Sequence, residues 1–228
     1  MTASPPPAVI AFDLDGTLVD TAPDLLDTLD IVLDEAGAAR LPREETRKMI
    51  GAGAKALVNR GLTAAGMSVS PTEFDALYQR FLAHYAAHIA DGSRPFPGLL
   101  AALDELARRG HVLAVCTNKL EYLSRLLLER LDLADRFAVI AGSDTFPVFK
   151  PDAGHLLGTI ERAGGRPTRA IMVGDSMTDV LTARNARVPS IVVPFGYTEI
   201  PAEELGGDAF IDHFDRLVDT VERLLSPA

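Results

Sequence analysis

The chain reads as an α/β protein with a doubly wound parallel-sheet core and a helical domain inserted after the first strand. Three observations predict this. Short apolar runs recur, and they are apolar at successive positions, the pattern of strands covered by helices on both faces. From Arg94 onward those runs alternate with helical patterns, which implies right-handed βαβ crossovers. Between Thr21 and Asp91 only helical periodicity is present, so that stretch stands apart from the alternation.

The first strand is the run from Ala8 to Phe12, ending abruptly in Asp13, Asp15, Gly16 and Thr17. A helix follows from Thr21 to about Gly37. Leu25, Leu29, Val32 and Leu33 fall at helical spacing, Pro23 and Asp24 suit a first turn, and Gly37 suits the stop. Pro42 to Ile50 is a short charged helix, and Ala54 to Ala65 a third. Ser70, Pro71 and Glu73 make a capping-box start for a fourth. Its stripe of Phe74, Leu77, Phe81, Tyr85 and Ile89 is that of a helix-bundle core.

Gly92, Pro95, Pro97 and Gly98 then read as a linker. With a first hinge near Val19 to Pro23, the expected domains are a core of residues 1–20 and 94–228 and a helical cap of residues 21–93. In the core, helix Leu99 to Arg109 leads to strand His111 to Cys116, and helix Tyr122 to Arg130 to strand Phe137 to Ala141. Helix Asp152 to Ala163 leads to strand Ala170 to Val173, and helix Met177 to Ala186 to strand Ser190 to Val193. A short run near Phe210 and a helix to Leu225 close the pattern, which is Rossmann-like.

Composition narrows the function classes. At 228 residues the chain accommodates a core with an insertion. A net charge of -10 disfavours nucleic acid and anionic membrane surfaces as partners. The single cysteine, Cys116, excludes an internal disulfide framework and suits a reducing, cytoplasmic setting; its apolar run makes it a buried hydrophobe. No segment reaches the ~18 apolar residues of a membrane span. The start, MTASPPP, lacks the basic region of a signal peptide and reads as a short extended tail. Neither a monomer nor a homodimer is indicated.

The end of the first strand carries the chemistry. The carboxyl ends of strands are where ligands bind in open α/β sheets. Two carboxylates there are costly without a cation or a shared proton. Asp13 and Asp15 therefore point to a metal or proton-transfer site. Two other signals are discounted. Gly51 to Ala56 fits a loose dinucleotide fingerprint but follows a charged helix where a strand is required. His84 and His88 have zinc-compatible spacing but no third ligand, so they read as polar-face histidines.

The string DLDGTLVD resembles the first signature of the haloacid dehalogenase superfamily of phosphotransferases, and three further motifs follow in order. Thr117 and Asn118 end a strand, Lys150 precedes Pro151, and Gly174, Asp175 and Ser176 end another strand before Asp179. The resemblance implies the following roles. Asp13 is the nucleophile that forms an aspartyl-phosphate, and Asp15 the general acid and then base. Thr117, with main-chain N–H groups around Asn118, binds phosphate, and Lys150 neutralises it. Mg2+ is held by the carboxylates of Asp13 and Asp175 and the main-chain carbonyl of Asp15, with Asp179 in support. The loop of Gly51, Gly53 and Lys55 lies over the site and helps select substrate, Lys55 reaching a substrate carboxylate.

Within the superfamily, IGAGAKALVNRGL, VCTNK, AGSDTFPVFKPD, VGDSMTD and PFGYTE are most similar to the phosphoglycolate phosphatase family. The implied reaction is hydrolysis of 2-phosphoglycolate, a small phosphate ester, to glycolate and phosphate. The chain departs from that family at Ala52 and at Asp152 to Gly154, both near substrate-selecting regions. A broader sugar-phosphate or nucleotide phosphatase, a sugar-phosphate mutase and a non-catalytic binding module are the alternatives.

Overall fold

A computed structural model describes residues 7–198 and 200–226. The expected proline tail lies outside them except for Pro7, as does Glu199 of the PFGYTE segment. The strands in chain order are β1 (Val9–Phe12), β2 (Val19–Asp20), β3 (Arg94–Pro95), β4 (Val112–Cys116), β5 (Val139–Ala141), β6 (Ala170–Gly174), β7 (Ser190–Val192) and β8 (Ala209–Phe210). The α-helices are α1 (Ala22–Glu35), α2 (Arg43–Arg47), α3 (Ala54–Ala64), α4 (Pro71–Ala87), α5 (Leu99–Arg108), α6 (Glu121–Arg130), α7 (Ala153–Arg162), α8 (Met177–Ala186) and α9 (Leu217–Leu225).

Six strands form one parallel sheet in the order β5-β4-β1-β6-β7-β8. The doubly wound α/β expectation holds. β1 is central, and its two neighbours come from distant parts of the chain, which makes its carboxyl end a topological switch point. Register aligns the three inner strands: Phe12 pairs with Val115 on one side and Val173 on the other. The residues just past these strands therefore emerge together, and those residues include Asp13, Thr117 and Asp175.

Alternation along the strands sorts the core into two layers. Val9, Ala11, Ala114, Cys116 and Met172 face one side and pack with Leu156 and Ile160 of α7 and Ala183 of α8. Small residues at Ala11, Ala114 and Cys116 let those helices lie close. Ile10, Phe12, Leu113, Val115, Ile171 and Val173 face the other side, in one cluster with Leu103 and Leu106 of α5 and Val221 of α9. Cys116 is buried and unpaired, as expected. No helix among the described residues is long and apolar enough to cross a membrane.

Helices α1 to α4 lie between β2 and β3. α1 packs against α2, α3 and α4, and Leu29 of α1 fits so closely over Gly61 of α3 that a Cβ there would sit 2.9 Å from it. α4 opens with the expected capping box of Ser70 and Glu73. The two chain crossings into this segment are tied at their base. β2 and β3 pair antiparallel, and Asp24 accepts bonds from the backbone N–H groups of Gly92 (2.7 Å) and Ser93 (2.8 Å).

Several expectations differ in detail. The Pro42 to Ile50 helix is only α2, and its last residues form a turn leading to Gly51 (φ 110°) and Gly53 (φ 87°). A 3-10 turn over Ala134–Arg136 delays β5, so that strand begins at Val139 and not Phe137. α4 ends at Ala87, and Ile89 is buried beyond it. β2 and β3 are two residues each, too short to show any alternation in the sequence.

Candidate active site

Asp13 is the first residue past β1, and its backbone N–H continues the ladder to Val173 O (2.9 Å). Its carboxylate is buried, with Oδ1 2.9 Å from Lys150 Nζ. That contact is an ion pair off the hydrogen-bond line, and Oδ1 has no hydrogen-bond partner. Burial pushes the Asp13 carboxyl up to about 6; Lys150 works against the rise and Asp179 adds to it.

Lys150 is 2% exposed and donates to Asp179 Oδ1 at 2.7 Å. Burial disfavours its charge, but Asp13 and Asp179 outweigh that and raise its pKa from the ordinary lysine value, so the ammonium persists. A single buried cation thus bridges the ends of β1 and α8.

Asp175 and Asp179 come from the turn between β6 and α8. Ser176 caps α8, and Asp179 closes the box by accepting from Ser176 N (3.1 Å) and Oγ (2.6 Å). Asp179 is therefore committed to the helix cap through one oxygen and to Lys150 through the other. Asp175 accepts from Thr17 Oγ1 (2.9 Å) and from the Tyr197 N–H (2.8 Å). Burial pushes its carboxyl up to about 8, helped by Asp179 and Asp13. Glycines make this proximity possible. A Cβ at Gly196 would sit 2.0 Å from Asp175 Oδ2, and one at Gly174 would sit 2.3 Å from Asp179 Cγ.

Ligand atoms of Asp13, Asp175 and Asp179 lie within 4.8 Å of one another. Three buried carboxylates face one ammonium, an imbalance that a cation relieves. The donor set is all oxygen, and Asp13 Oδ1 has no hydrogen-bond partner besides its ion pair with Lys150. Both fit a hard divalent ion such as Mg2+.

Asp15 sits in a turn, not in a strand. Gly16 adopts φ 83° and donates to Val19 O (2.9 Å), so the chain reverses directly after Asp15. The Asp15 carboxylate accepts from Thr21 Oγ1 (2.7 Å) and, through both oxygens, from Lys119 Nζ (2.8 and 3.0 Å). Thr117 is buried past β4, its N–H bonded to Ala141 O (3.0 Å) and its Oγ1 accepting from Lys119 N (3.3 Å). Asn118 donates to Lys150 O (3.2 Å), which ties the second motif to the third.

Gly51 and Gly53 line a cleft with Asp15 and Lys119. At Gly53 a Cβ would sit 3.0 Å from Asn118 O, so the loop backbone lies directly over the second motif. Lys55 does not line that cleft. Its ammonium stands 5.8 and 5.9 Å from the rings of Phe74 and Tyr78, on the side of α3 facing α4.

Sequence reasoning missed three contributors. Lys119 is buried against Asp15, and its only signal was its place beside Thr117 and Asn118. Thr17 holds Asp175. Tyr197 accepts at its hydroxyl from the N–H groups of Thr21 (2.7 Å) and Ala22 (2.9 Å), tethering the start of α1 to the loop that holds Asp175. Its only signal was its place in the PFGYTE segment, which gave it no role.

Comparison with known proteins agrees with this geometry. The family described as haloacid dehalogenase-like hydrolase matches residues 10–193. The chain is 47% identical to a phosphoglycolate phosphatase of Agrobacterium fabrum, covering 99% of this chain and 97% of that one. It is 49% identical to one of Caulobacter vibrioides over 91% and 87% of the two chains. Among solved structures, a predicted phosphoglycolate phosphatase from Haemophilus somnus superposes with a TM-score of 0.87 at 26% identity, covering 94% of this chain and 97% of that one.

Proposed function

The chain belongs to the haloacid dehalogenase-like hydrolase family, and from that premise we propose that it hydrolyses 2-phosphoglycolate to glycolate and phosphate. The observation that carries the chemistry is the buried Asp13 carboxylate paired with a buried ammonium at the switch point of the sheet. A carboxylate held there can attack phosphorus, and Lys150 offsets the charge of the phosphoryl group that meets it.

In this reading Asp13 attacks phosphorus in line, the ester P–O bond breaks, and Asp15 gives its proton to the leaving glycolate oxygen. Asp15 then takes a proton from water, which attacks the aspartyl-phosphate and returns Asp13 with inorganic phosphate. Thr117 and the N–H groups about Asn118 hold the phosphoryl oxygens. Mg2+, held by the carboxylates of Asp13 and Asp175 and the carbonyl of Asp15, would neutralise further phosphoryl charge when bound. Asp179 fixes Lys150 and supports that site. Residues 21–93 act as a cap whose 51–53 loop covers the substrate and excludes water. The single buried Cys116 fits a cytoplasmic setting.

Phosphate release across 2-phosphoglycolate, sugar phosphates, nucleotides and pyrophosphate, with Mg2+ or with chelator, tests this. The expected result is a preference in kcat/KM for 2-phosphoglycolate, abolished by chelator. A profile centred on sugar phosphates refutes the substrate and keeps the mechanism. Undiminished turnover in chelator refutes the metal.

A further inference from the structure

The cleft between Asp15 and the 51–54 loop is lined by two polar residues that the chemistry above does not use, Lys119 and Tyr85. Its remaining wall is apolar, formed by Leu25, Ile50, Leu57 and Leu123. The Lys119 side chain is 5% exposed, and its ion pair is with Asp15. Its ammonium also lies 4.6 Å over the ring of Tyr85, which fixes the cation in place. Tyr85 is fully buried, and its hydroxyl has no hydrogen-bond partner. Burial raises its pKa well above the ordinary phenol value, so it remains a donor. The ammonium is already paired with Asp15, so the group left incomplete in this apolar cleft is the Tyr85 hydroxyl, and a buried donor without an acceptor is costly.

We propose that Lys119, with Tyr85, receives the carboxylate of the substrate, restricting the enzyme to phosphate esters of short 2-hydroxy acids. This rests on the phosphatase reading above and assigns the residues that read the substrate. Lys119 Nζ is 2.8 Å from the carboxylate proposed to serve the ester oxygen, so the anion it takes lies within a few ångströms of that oxygen. A carboxylate on the carbon bearing the ester oxygen meets that condition; one at the far end of a sugar acid does not. Sugar hydroxyls, in turn, find few partners on the Leu25, Ile50, Leu57 and Leu123 wall. An arriving carboxylate competes with Asp15 for the ammonium and leaves Asp15 with Thr21, free to turn to the leaving oxygen. A substrate without a carboxylate leaves Asp15 tied to Lys119. Lys55 is set against the Phe74 and Tyr78 rings and lines a neighbouring cavity with Gly53 and Asn118, outside this cleft.

The test compares 2-phosphoglycolate with 2-hydroxyethyl phosphate, in which an alcohol replaces the carboxylate, on wild type, Lys119→Met, Lys119→Arg and Tyr85→Phe. Lys119→Met should lower kcat/KM for 2-phosphoglycolate by about 100-fold and for the alcohol analogue by under about tenfold, mostly in KM. Lys119→Arg should restore part of the preference, and Tyr85→Phe should weaken it several-fold without changing the folded state. Equal losses on both substrates in Lys119→Met and no effect of Tyr85→Phe would overturn the assignment, leaving Lys119 as a residue that only positions Asp15. The ratio between substrates within one variant does not depend on how much of that variant folds. The phosphatase reading fails separately, if wild type releases phosphate from none of these esters.

Discussion

At the residue scale, the site depends on one ammonium shared among carboxylates. Lys150 spans Asp13 and Asp179, and neither Lys150 nor Asp13 reaches solvent to any extent that water could replace the other. Asp13→Asn keeps the shape and removes the charge proposed to attack. It should lower turnover by about 10⁴-fold or more while far-UV circular dichroism stays unchanged. Appreciable turnover by the pure variant would mean another group attacks. Asp13, Asp15, Thr117, Lys150, Asp175 and Asp179 were legible because they match the four haloacid dehalogenase motifs in order, with Asp13, Thr117 and Asp175 each just past an apolar run. The pairing of Lys119 with Asp15 spans 104 positions, and that of Tyr197 with Asp20 spans 177; no local pattern encodes either.

At the scale of elements, α8 does two jobs with one cap. Ser176 and Asp179 satisfy the exposed N–H groups of its first turn, and the same Asp179 anchors Lys150. Ser176→Ala should therefore cost about 1 kcal/mol in denaturant unfolding, the usual worth of an N-cap. It should also lower kcat severalfold, because the Asp179 oxygen loses the Ser176 hydroxyl that orients it. A change in stability with kcat untouched would separate the cap from the chemistry. The parallel strands were readable because burial on both faces leaves a run of apolar residues. β2 and β3 were not, since two residues held by pairing and by the Asp24 bonds need no periodicity of their own.

At the scale of the whole molecule, three buried carboxylates at the centre of the sheet oppose the folded state until a cation joins them. Mg2+ should raise the melting temperature. At a concentration of about 100 times Kd the gain is about 2.7 kcal/mol, or roughly 5–10 °C for a chain of this size. Calcium, which is larger, should stabilise without supporting turnover. An unchanged melting temperature in chelator would place the cation elsewhere. The doubly wound order was legible as a class from the alternation after Arg94. The position of β1 between β4 and β6 was not, because sequence order does not dictate strand order.

The matched register of β4, β1 and β6 acts as a ruler for the groups of the candidate site. One residue added to β1 would advance Asp13 by about 3.3 Å and exchange the faces of Val9 to Phe12. Both changes exceed what the 2.9 Å ion pair with Lys150 tolerates. Length variation in this protein is therefore confined to its connections. Connections away from the site residues can lengthen, whereas the four residues of β1 admit neither insertion nor deletion.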